Sequence, residues 1–396
     1  MRERIERNEN KLGIYIHFPF CVQKCHYCDF YSLSIQEFNS NMEEIENIFV
    51  ERIIEEFLLR YQYFKQFKEV NTIYFGGGTS SFLSAKTFNK LIKYFKDFFI
   101  LTEDCEITLE GNPEHLYNKE YLLSIKEAGI NRINVGFQTK NYQFLENMNR
   151  YYNPEHYEKV LQNISEIFDN WGVDLIYGFP QQSLNDFLND LNFVLSYSLK
   201  HFSLYSLTVE NGTRYQKLIE EKLLDEPNSF LQEEIFINLP YILQENHFNQ
   251  YEVSNYAIQN YECRHNLRYW LYEPYLGLGP SSHGFNGILR YNNYRNWLKW
   301  LKHFHENYIY HDPLKEIAIT MFRLTIPINL QWIKEITSYY QIFYDFFEEM
   351  MKKEYGTIFS KPNNSIYFQW NLKGICLLDN LIIDFYHKID NLSKSK

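Results

Sequence analysis

The sequence predicts an α/β fold with a parallel sheet, followed by a small helical module. Three observations carry that reading. Six short apolar segments alternate with stretches of helical period between Leu12 and Glu210, and such alternation builds parallel strands joined by right-handed crossovers. Several segments end in glycine or isolated polar residues, as strands do where their carboxyl ends carry function. Beyond His311-Asp312-Pro313 the pattern changes to helices and a hairpin.

Taken in order, Leu12 to Phe18 is a strand that Pro19 stops just before Cys21. Glu43 to Phe57 sets Ile45, Ile48, Phe49, Ile53 and Phe57 on one helical stripe. Residues 71–75 form a strand ended by Gly76-Gly77-Gly78-Thr79, and a helix capped near Ser84 follows. Residues 105–113 read as a strand broken at Gly111 and Pro113. A helix from Lys119 ends at Gly129, a residue suited to the left-handed position after a helix, and 130–138 is the next strand. Asn153-Pro154 opens a helix with proline at its tolerated first position; Trp171-Gly172 ends it, and 173–180 is a strand. A helix over 184–199 and a strand over 201–210 complete the series. From Asn211 to Asn249 the chain reads as helical with an interruption at Pro240, and a β-rich aromatic block runs over 250–285. Pattern alone does not separate a doubly wound sheet from a barrel. The boundary falls within 305–315, giving a main domain of 1–305 and a winged-helix-like module of 306–396.

The 396 residues carry 39 Lys+Arg against 50 Asp+Glu, a net charge of -11. That balance argues against nucleic acid or an anionic membrane surface as the main partner, because both need clustered cations. The first twenty residues show no signal-peptide pattern, and no stretch approaches the roughly 18 apolar residues of a membrane span. The expected location is therefore the cytoplasm, where clustered cysteines serve metals or redox work rather than disulfides. Cys105, Cys263 and Cys376 stand alone in sequence and read as small buried hydrophobes.

Cys21, Cys25 and Cys28 fall within eight residues, spaced C-x3-C-x2-C. Three soft ligands leave one position of a metal centre open to a substrate or cofactor, which is the pattern of a site-differentiated iron–sulfur cluster. The rival is structural zinc completed by His26, His17 or Cys263, but zinc sites of that kind pair two close couples, and no second couple is present. The Gly76–Gly78 run lacks the endings of the phosphate- and dinucleotide-binding loops. Alone it marks a tight turn; beside an open cluster it is a candidate cradle for a small polar cofactor. Glu110, Gln138, Arg150 and Asp174 are polar residues on or just past apolar strands or the helices after them. Each alone could be a satisfied structural group. An unpaired Asp174 would cost several kcal/mol to bury, so a partner such as Arg150 or a ligand is expected. In HNLRYW (265–270), His265 could ligate a heme iron, with Tyr269 and Trp270 against the macrocycle and Arg264 and Arg268 near propionates. Taken by itself, such a histidine is more often a core or surface residue.

These stretches together, YIHFPFCVQKCHYCDF, YFGGGTSSFL, LEGNPE, INVGFQ, MNR, VDLIYGFPQQS, HNLRYW and YLGLGPSSHGF among them, resemble the radical S-adenosylmethionine (SAM) superfamily. Within it the chain is similar to the oxygen-independent coproporphyrinogen III oxidase family and its heme chaperone branch, over nearly its whole length. The resemblance implies an incomplete (β/α)6 TIM-like barrel with a C-terminal helical module. It implies that Cys21, Cys25 and Cys28 hold a [4Fe–4S] cluster whose fourth iron is chelated by SAM. By motif position Tyr15, Tyr27, Gly77, Gly78, Thr79, Glu110, Gln138, Arg150 and Asp174 correspond to SAM-site residues. His265, Asn266, Tyr269 and Trp270 match the HNxxYW heme signature of the chaperone branch. Two departures separate that branch from the oxidases. Phe30 stands where the oxidases carry a fourth cysteine, and only twenty residues precede Cys21. Tyr152 and Ser282 are smaller differences. The expected function is heme binding and transfer to an acceptor protein, with radical SAM decarboxylation of coproporphyrinogen III as the alternative. Expected partners are heme, a heme-acceptor protein and an electron donor; a membrane-associated acceptor and a homodimer are compatible with the resemblance.

Overall fold

The six predicted strands all form, and they lie side by side. The computed structural model describes residues 5–37, 41–150, 153–304, 308–310 and 312–394; Tyr152 and His311 fall outside them. The strands are β1 (Lys11–Phe18), β2 (Glu69–Gly77), β3 (Ile100–Gly111), β4 (Arg132–Gln138), β5 (Asn170–Tyr177) and β6 (His201–Ser206), hydrogen-bonded in that order and parallel throughout. Helices α1 (Met42–Tyr61), α2 (Ala85–Lys96), α3 (Lys119–Glu127), α4 (Pro154–Ile167) and α5 (Leu184–Leu195) make the crossovers. This is an incomplete (β/α)6 TIM-like barrel. On the free side of β1 the sheet continues with β7 (Tyr275–Leu278), parallel, then β8 (His283–Phe285) and β9 (Leu289–Asn292), antiparallel. The sequence pattern did not reveal that extension, since its register partners are remote in the chain.

Local chemistry sets the element ends. Ser84 caps α2 by accepting from Thr87 N, Asn153 caps α4, and Ser183 with Asp186 closes a capping box at α5. Gly129 takes a φ of +111° after α3, a conformation that a Cβ disfavours. Some expectations fail. Helix α4 ends at Ile167, and Trp171-Gly172 lie inside β5, where Gly172 leaves room for His201. Ile48 is 37 % exposed, and α1 buries Glu56 and Arg60 beside Ile45, Phe49, Ile53 and Phe57. Those two charges are satisfied. Glu56 accepts from Gly279 N and Trp300 Nε1, each at 2.9 Å, and Arg60 donates to Asn293 Oδ1 at 2.8 Å while lying over the Tyr291 ring. The network ties α1 to the segment after β7.

By packing, the chain forms two compact units. One spans 9–236 and 274–309 and contains the sheet; the other gathers 1–8, 237–273 and 310–396. Helix Ser229–Glu245, of which the part from Ile237 belongs to the second, runs through Pro240 rather than stopping there, since a proline deletes one internal bond without preventing the flanking turns. Helices Pro313–Met321, Leu330–Ile336, Tyr340–Lys352 and Leu378–Lys394 accompany a small sheet of Ile328–Asn329, Ile366–Trp370 and Gly356–Ser360. Its core is aromatic: Phe322 stacks on Phe346 and Phe347 on Phe368. Cys105 and Cys263 are buried as expected, but Cys376 is exposed, because the short helix Leu372–Cys376 turns Gly374 and Ile375 inward instead.

Candidate functional site

The cysteine loop leaves the carboxyl end of β1 and is tied at its base. Phe20-Cys21 pairs with Leu33-Ser34, Leu33 N donates to Pro19 O at 2.7 Å, and Ser34 Oγ donates to Val22 O. Its tip is docked by main-chain bonds. His26 N donates to Met148 O at 2.9 Å and Tyr215 N to His26 O at 2.8 Å. Asn149, at a φ of 52°, donates from Nδ2 to Lys24 O and accepts from Gln23 Nε2 at its own carbonyl. Tyr27 packs into an apolar cluster of Phe144, Met148, Ile176, Phe179, Leu207 and Tyr215. The loop is thus held in one shape by chain segments from β4 onward.

All three thiols are half-buried. Burial raises the Cys21 thiol, against the Thr79 hydroxyl beside it, and pushes Cys28 up to about 11, with Cys25 and Cys21 adding repulsion. Such thiols shed protons to a metal centre rather than to water. Among the described residues no three His, Cys, Asp or Glu side chains converge on one ion position. A mononuclear zinc site needs that convergence, whereas a cuboidal cluster offers each thiolate its own iron. The zinc reading also loses His17. Both His17 ring nitrogens are bonded, to Tyr15 OH and Tyr31 O, and His26 Nδ1 is bonded to Asn147 O. Three free thiols on one loop are a donor set that fits an iron–sulfur cluster with one open iron.

The glycine run seats the loop. Gly78 N donates to Phe18 O at 2.7 Å and Thr79 N to Phe20 O at 2.9 Å. A Cβ on Gly78 would come 2.8 Å from Phe20 O and 3.0 Å from Cys21 Sγ; one on Gly76 would come 2.8 Å from Glu110 Oε2. Gly77 adopts a φ of +117°. Two of the amides expected to face a cofactor are spent on the strand that delivers Cys21.

Glu110, at the end of β3, accepts from Tyr74 OH and from the Gly77 amide, and burial, with Asp174 adding, pushes its carboxyl up to about 7. Gln138 ends β4 at a bulge with a φ of 67°. Arg150 reaches Cys25 Sγ at 3.6 Å and Asn112 Oδ1 at 2.9 Å, and also donates to Gly136 O; its Nε is buried without a protein partner. Asp174 lies within β5 and is met by Asn134 Nδ2 at 2.7 Å and by the Ser203 hydroxyl, while Arg132 and Arg150 act on it only through charge. Arg150 is thus not its hydrogen-bond partner, contrary to the expectation. The side chains missed by sequence reasoning are Tyr74, Asn112, Asn134 and Ser203, and His17 was weighed only as a zinc ligand. Their signal was present: polar residues at every second position of otherwise apolar strands point to one face. The sheet register lines up Tyr15 with Tyr74, Glu110 with Asn134, and Asp174 with Ser203.

The structure gathers the cysteine and SAM candidates in the sheet-bearing unit; HNLRYW belongs to the other. It forms a helix, Arg264–Trp270, that starts after Cys263 without a side-chain cap. His265 is fully buried, its Nε2 bonded to Tyr269 OH at 3.0 Å, and burial holds it well below its ordinary pKa. Arg268 is buried against Glu273 at 3.2 Å rather than presented to a ligand. Asn266 and Trp270 are half-buried, and the Trp270 indole N–H has no protein partner. Among the described residues no helix is long and apolar enough to cross a membrane.

Comparison with known proteins agrees with this geometry. The Radical SAM superfamily model matches residues 15–194. The chain is 33 % identical over 383 residues to the heme chaperone HemW of Buchnera aphidicola subsp. Schizaphis graminum, covering 94 % of this chain and 97 % of that one. It is 32 % identical over 274 residues to the heme chaperone HemW of Escherichia coli, covering 69 % and 70 %. The solved coproporphyrinogen III oxidase HemN of Escherichia coli superposes with a TM-score of 0.75 at 21 % identity, over 95 % of this chain and 90 % of that one, which establishes a shared fold. The chain belongs to the HemW heme chaperone family of the radical SAM superfamily.

Proposed function

We propose that the protein is a cytoplasmic heme chaperone that carries a SAM-ligated [4Fe–4S] cluster and passes heme to an acceptor protein. The observation that carries this reading is the cysteine loop: three thiols on a docked loop, and Phe30, 67 % exposed, two residues beyond Cys28. A fourth thiol at that place marks the decarboxylating oxidases. The names of the relatives support the heme assignment.

In this reading Cys21, Cys25 and Cys28 hold the cluster, and Tyr15, Tyr27, Gly77, Gly78, Thr79, Glu110, Gln138, Arg150 and Asp174 surround SAM. When bound, the cluster supplies one open iron to chelate SAM and a site for one-electron reduction. Arg150, beside Cys25, offsets the negative charge of thiolate ligation, and Glu110 offers acceptor oxygens to an ammonium group. His265 serves heme together with Asn266, Tyr269 and Trp270, and its ring must leave Tyr269 before it meets an iron. Residues 1–305 form the working domain and 306–396 an accessory module. An electron donor, a membrane-associated acceptor and a homodimer belong to the same proposal.

The test is anaerobic reconstitution followed by iron analysis, heme titration and a coproporphyrinogen III decarboxylation assay on one preparation. About four irons per chain, a saturable heme spectrum and no decarboxylation are expected. Decarboxylation at an enzymatic rate would overturn the chaperone reading, and stoichiometric zinc would overturn the cluster. His265→Ala with an unchanged heme spectrum and affinity would remove His265 as the ligand.

A further inference from the structure

His17 lies outside the set of cofactor-contacting candidates, yet its surroundings define its chemistry completely. Its Nε2 is 2.9 Å from the Tyr31 carbonyl oxygen and its Nδ1 is 3.0 Å from the Tyr15 hydroxyl. A carbonyl oxygen only accepts, so Nε2 carries the hydrogen. Burial, opposed by the bond to Tyr31 and aided by the Arg295 charge, pushes the ring's pKa down to about 4, so it is neutral and Nδ1 is an acceptor. The Tyr15 hydroxyl must therefore donate to Nδ1. The ring is also confined: a Cβ on Gly77 would lie 3.0 Å from both His17 Cδ2 and Cε1.

The direction of the Tyr15 proton matters because Tyr15 and Glu110 flank one point. The position a Cβ of Gly76 would take is 2.8 Å from Glu110 Oε2 and 3.2 Å from Tyr15 Cε2. Burial raises the Tyr15 pKa and the Glu110 charge adds to it, so the carboxylate is within electrostatic reach of the phenol. Glu110 already accepts from Tyr74 OH and the Gly77 amide. A Tyr15 hydroxyl released from His17 would turn its proton to the same carboxylate and occupy a further acceptor site.

We propose that His17 is a positioning residue that keeps the Tyr15 proton away from Glu110, leaving that carboxylate to accept from a cationic, ammonium-bearing ligand. The ligand is taken as SAM, so the inference rests on the SAM reading above. His17 touches neither cluster nor cofactor in this scheme; it sets which way two neighbouring groups face.

Two substitutions divide the roles of the ring nitrogens. His17→Asn puts an amide acceptor near the place of Nδ1, whereas His17→Gln keeps a donor for Tyr31 O and removes the acceptor for Tyr15. SAM affinity is measured by equilibrium dialysis on anaerobically reconstituted full-length protein of equal iron content. His17→Gln is expected to weaken SAM binding about tenfold, the size of one charge-assisted hydrogen bond, and His17→Asn to stay within about threefold of wild type. In a Tyr15→Phe background, His17→Gln should change affinity less than about twofold, because no proton remains to misdirect. The same tenfold loss in both backgrounds, or no loss in either, would overturn the proposal. A four-iron wild type that does not bind SAM would overturn the SAM reading and the proposal with it. Imidazole 15N NMR of the full-length chain gives a readout that needs neither cofactor. A neutral Nε2–H ring at His17 is expected, and a Nδ1–H ring or an imidazolium at neutral pH would refute the argument even if a variant fails to fold.

Discussion

Gly78→Ala tests whether the glycine run exists to seat the cysteine loop. The added Cβ falls 2.8 Å from a main-chain oxygen, Phe20 O, and 3.0 Å from Cys21 Sγ. Ordinary contacts sit near 3.5 Å, so the strand that delivers Cys21 must retreat by roughly half an ångström. A backbone oxygen cannot swing aside as a side chain would. The retreat strains two bonds, Gly78 N to Phe18 O and Thr79 N to Phe20 O. At about 1 kcal/mol each the loss is about 2 kcal/mol, within the usual cost of overpacking. Gly129→Ala is the control. It meets strain from a φ of +111°, but its Cβ would touch only Ile92, at 3.5 Å, far in sequence from the cysteines. Both variants should lower the melting temperature by a few degrees. After anaerobic reconstitution Gly129→Ala should keep full iron and the absorbance near 400 nm, and Gly78→Ala should lose about half or more. Full iron in Gly78→Ala, with an unshifted melting temperature, would refute the seating argument.

Tyr269→Phe keeps the aromatic ring but frees His265 Nε2, so heme affinity should rise about fivefold, the worth of one hydrogen bond; a titration showing equal or weaker binding contradicts the proposed release of His265. Asn149 combines a φ of 52° with a side-chain bond to Lys24 O. Asn149→Ala should cost about 1–2 kcal/mol in denaturant unfolding and Asn149→Gly visibly less, since glycine tolerates that φ; equal costs would show that the backbone conformation is irrelevant. Asp190 accepts from Thr139 Oγ1 and Lys140 N, yet burial raises its carboxyl to about 6 from 3.8. The folded state then holds a proton that the unfolded chain has released. This contribution is full below about pH 4 and is lost as pH rises through 6, about 3 kcal/mol in all. Asp190→Asn should flatten stability between pH 4 and 6, and an unchanged profile would exclude Asp190 as its source.

The parts of the fold legible from sequence are those governed by local period. All six parallel strands, the caps at Ser84 and Asn153, and the turn at Gly129 follow from residues a few positions apart. Elements defined by remote partners were not legible. Strands β7 to β9 show their place only when Tyr275 pairs with Gly13, and Glu56 and Arg60 look like solvent residues until Asn293, Trp300 and Tyr291 close over them. The site divides in the same way. The cysteine spacing carried its own meaning, but the second use of the glycine run, seating the loop through two of its amides, could not be seen. Asp174 called for a partner, and the sheet register supplied Ser203 and Asn134 instead of the arginine expected.

The position of β1 bears on how the protein is made. This strand carries the cysteines on its trailing end and is bordered by β2 on one side and by β7 on the other, so one neighbour is synthesised early and the other late. Until Tyr275–Leu278 leaves the ribosome, β1 is an open edge with unpaired amides and carbonyls, and its closing contact spans most of the chain. The Cys loop is also docked by Met148, Asn149 and Tyr215, so a nascent chain has the cysteines long before it has their scaffold. Iron–sulfur delivery during translation would meet a loop without a fixed shape. The topology therefore favours insertion after Tyr275–Leu278 has emerged, and it makes products truncated before that strand a source of exposed thiols and sticky strand edges rather than of partly active protein.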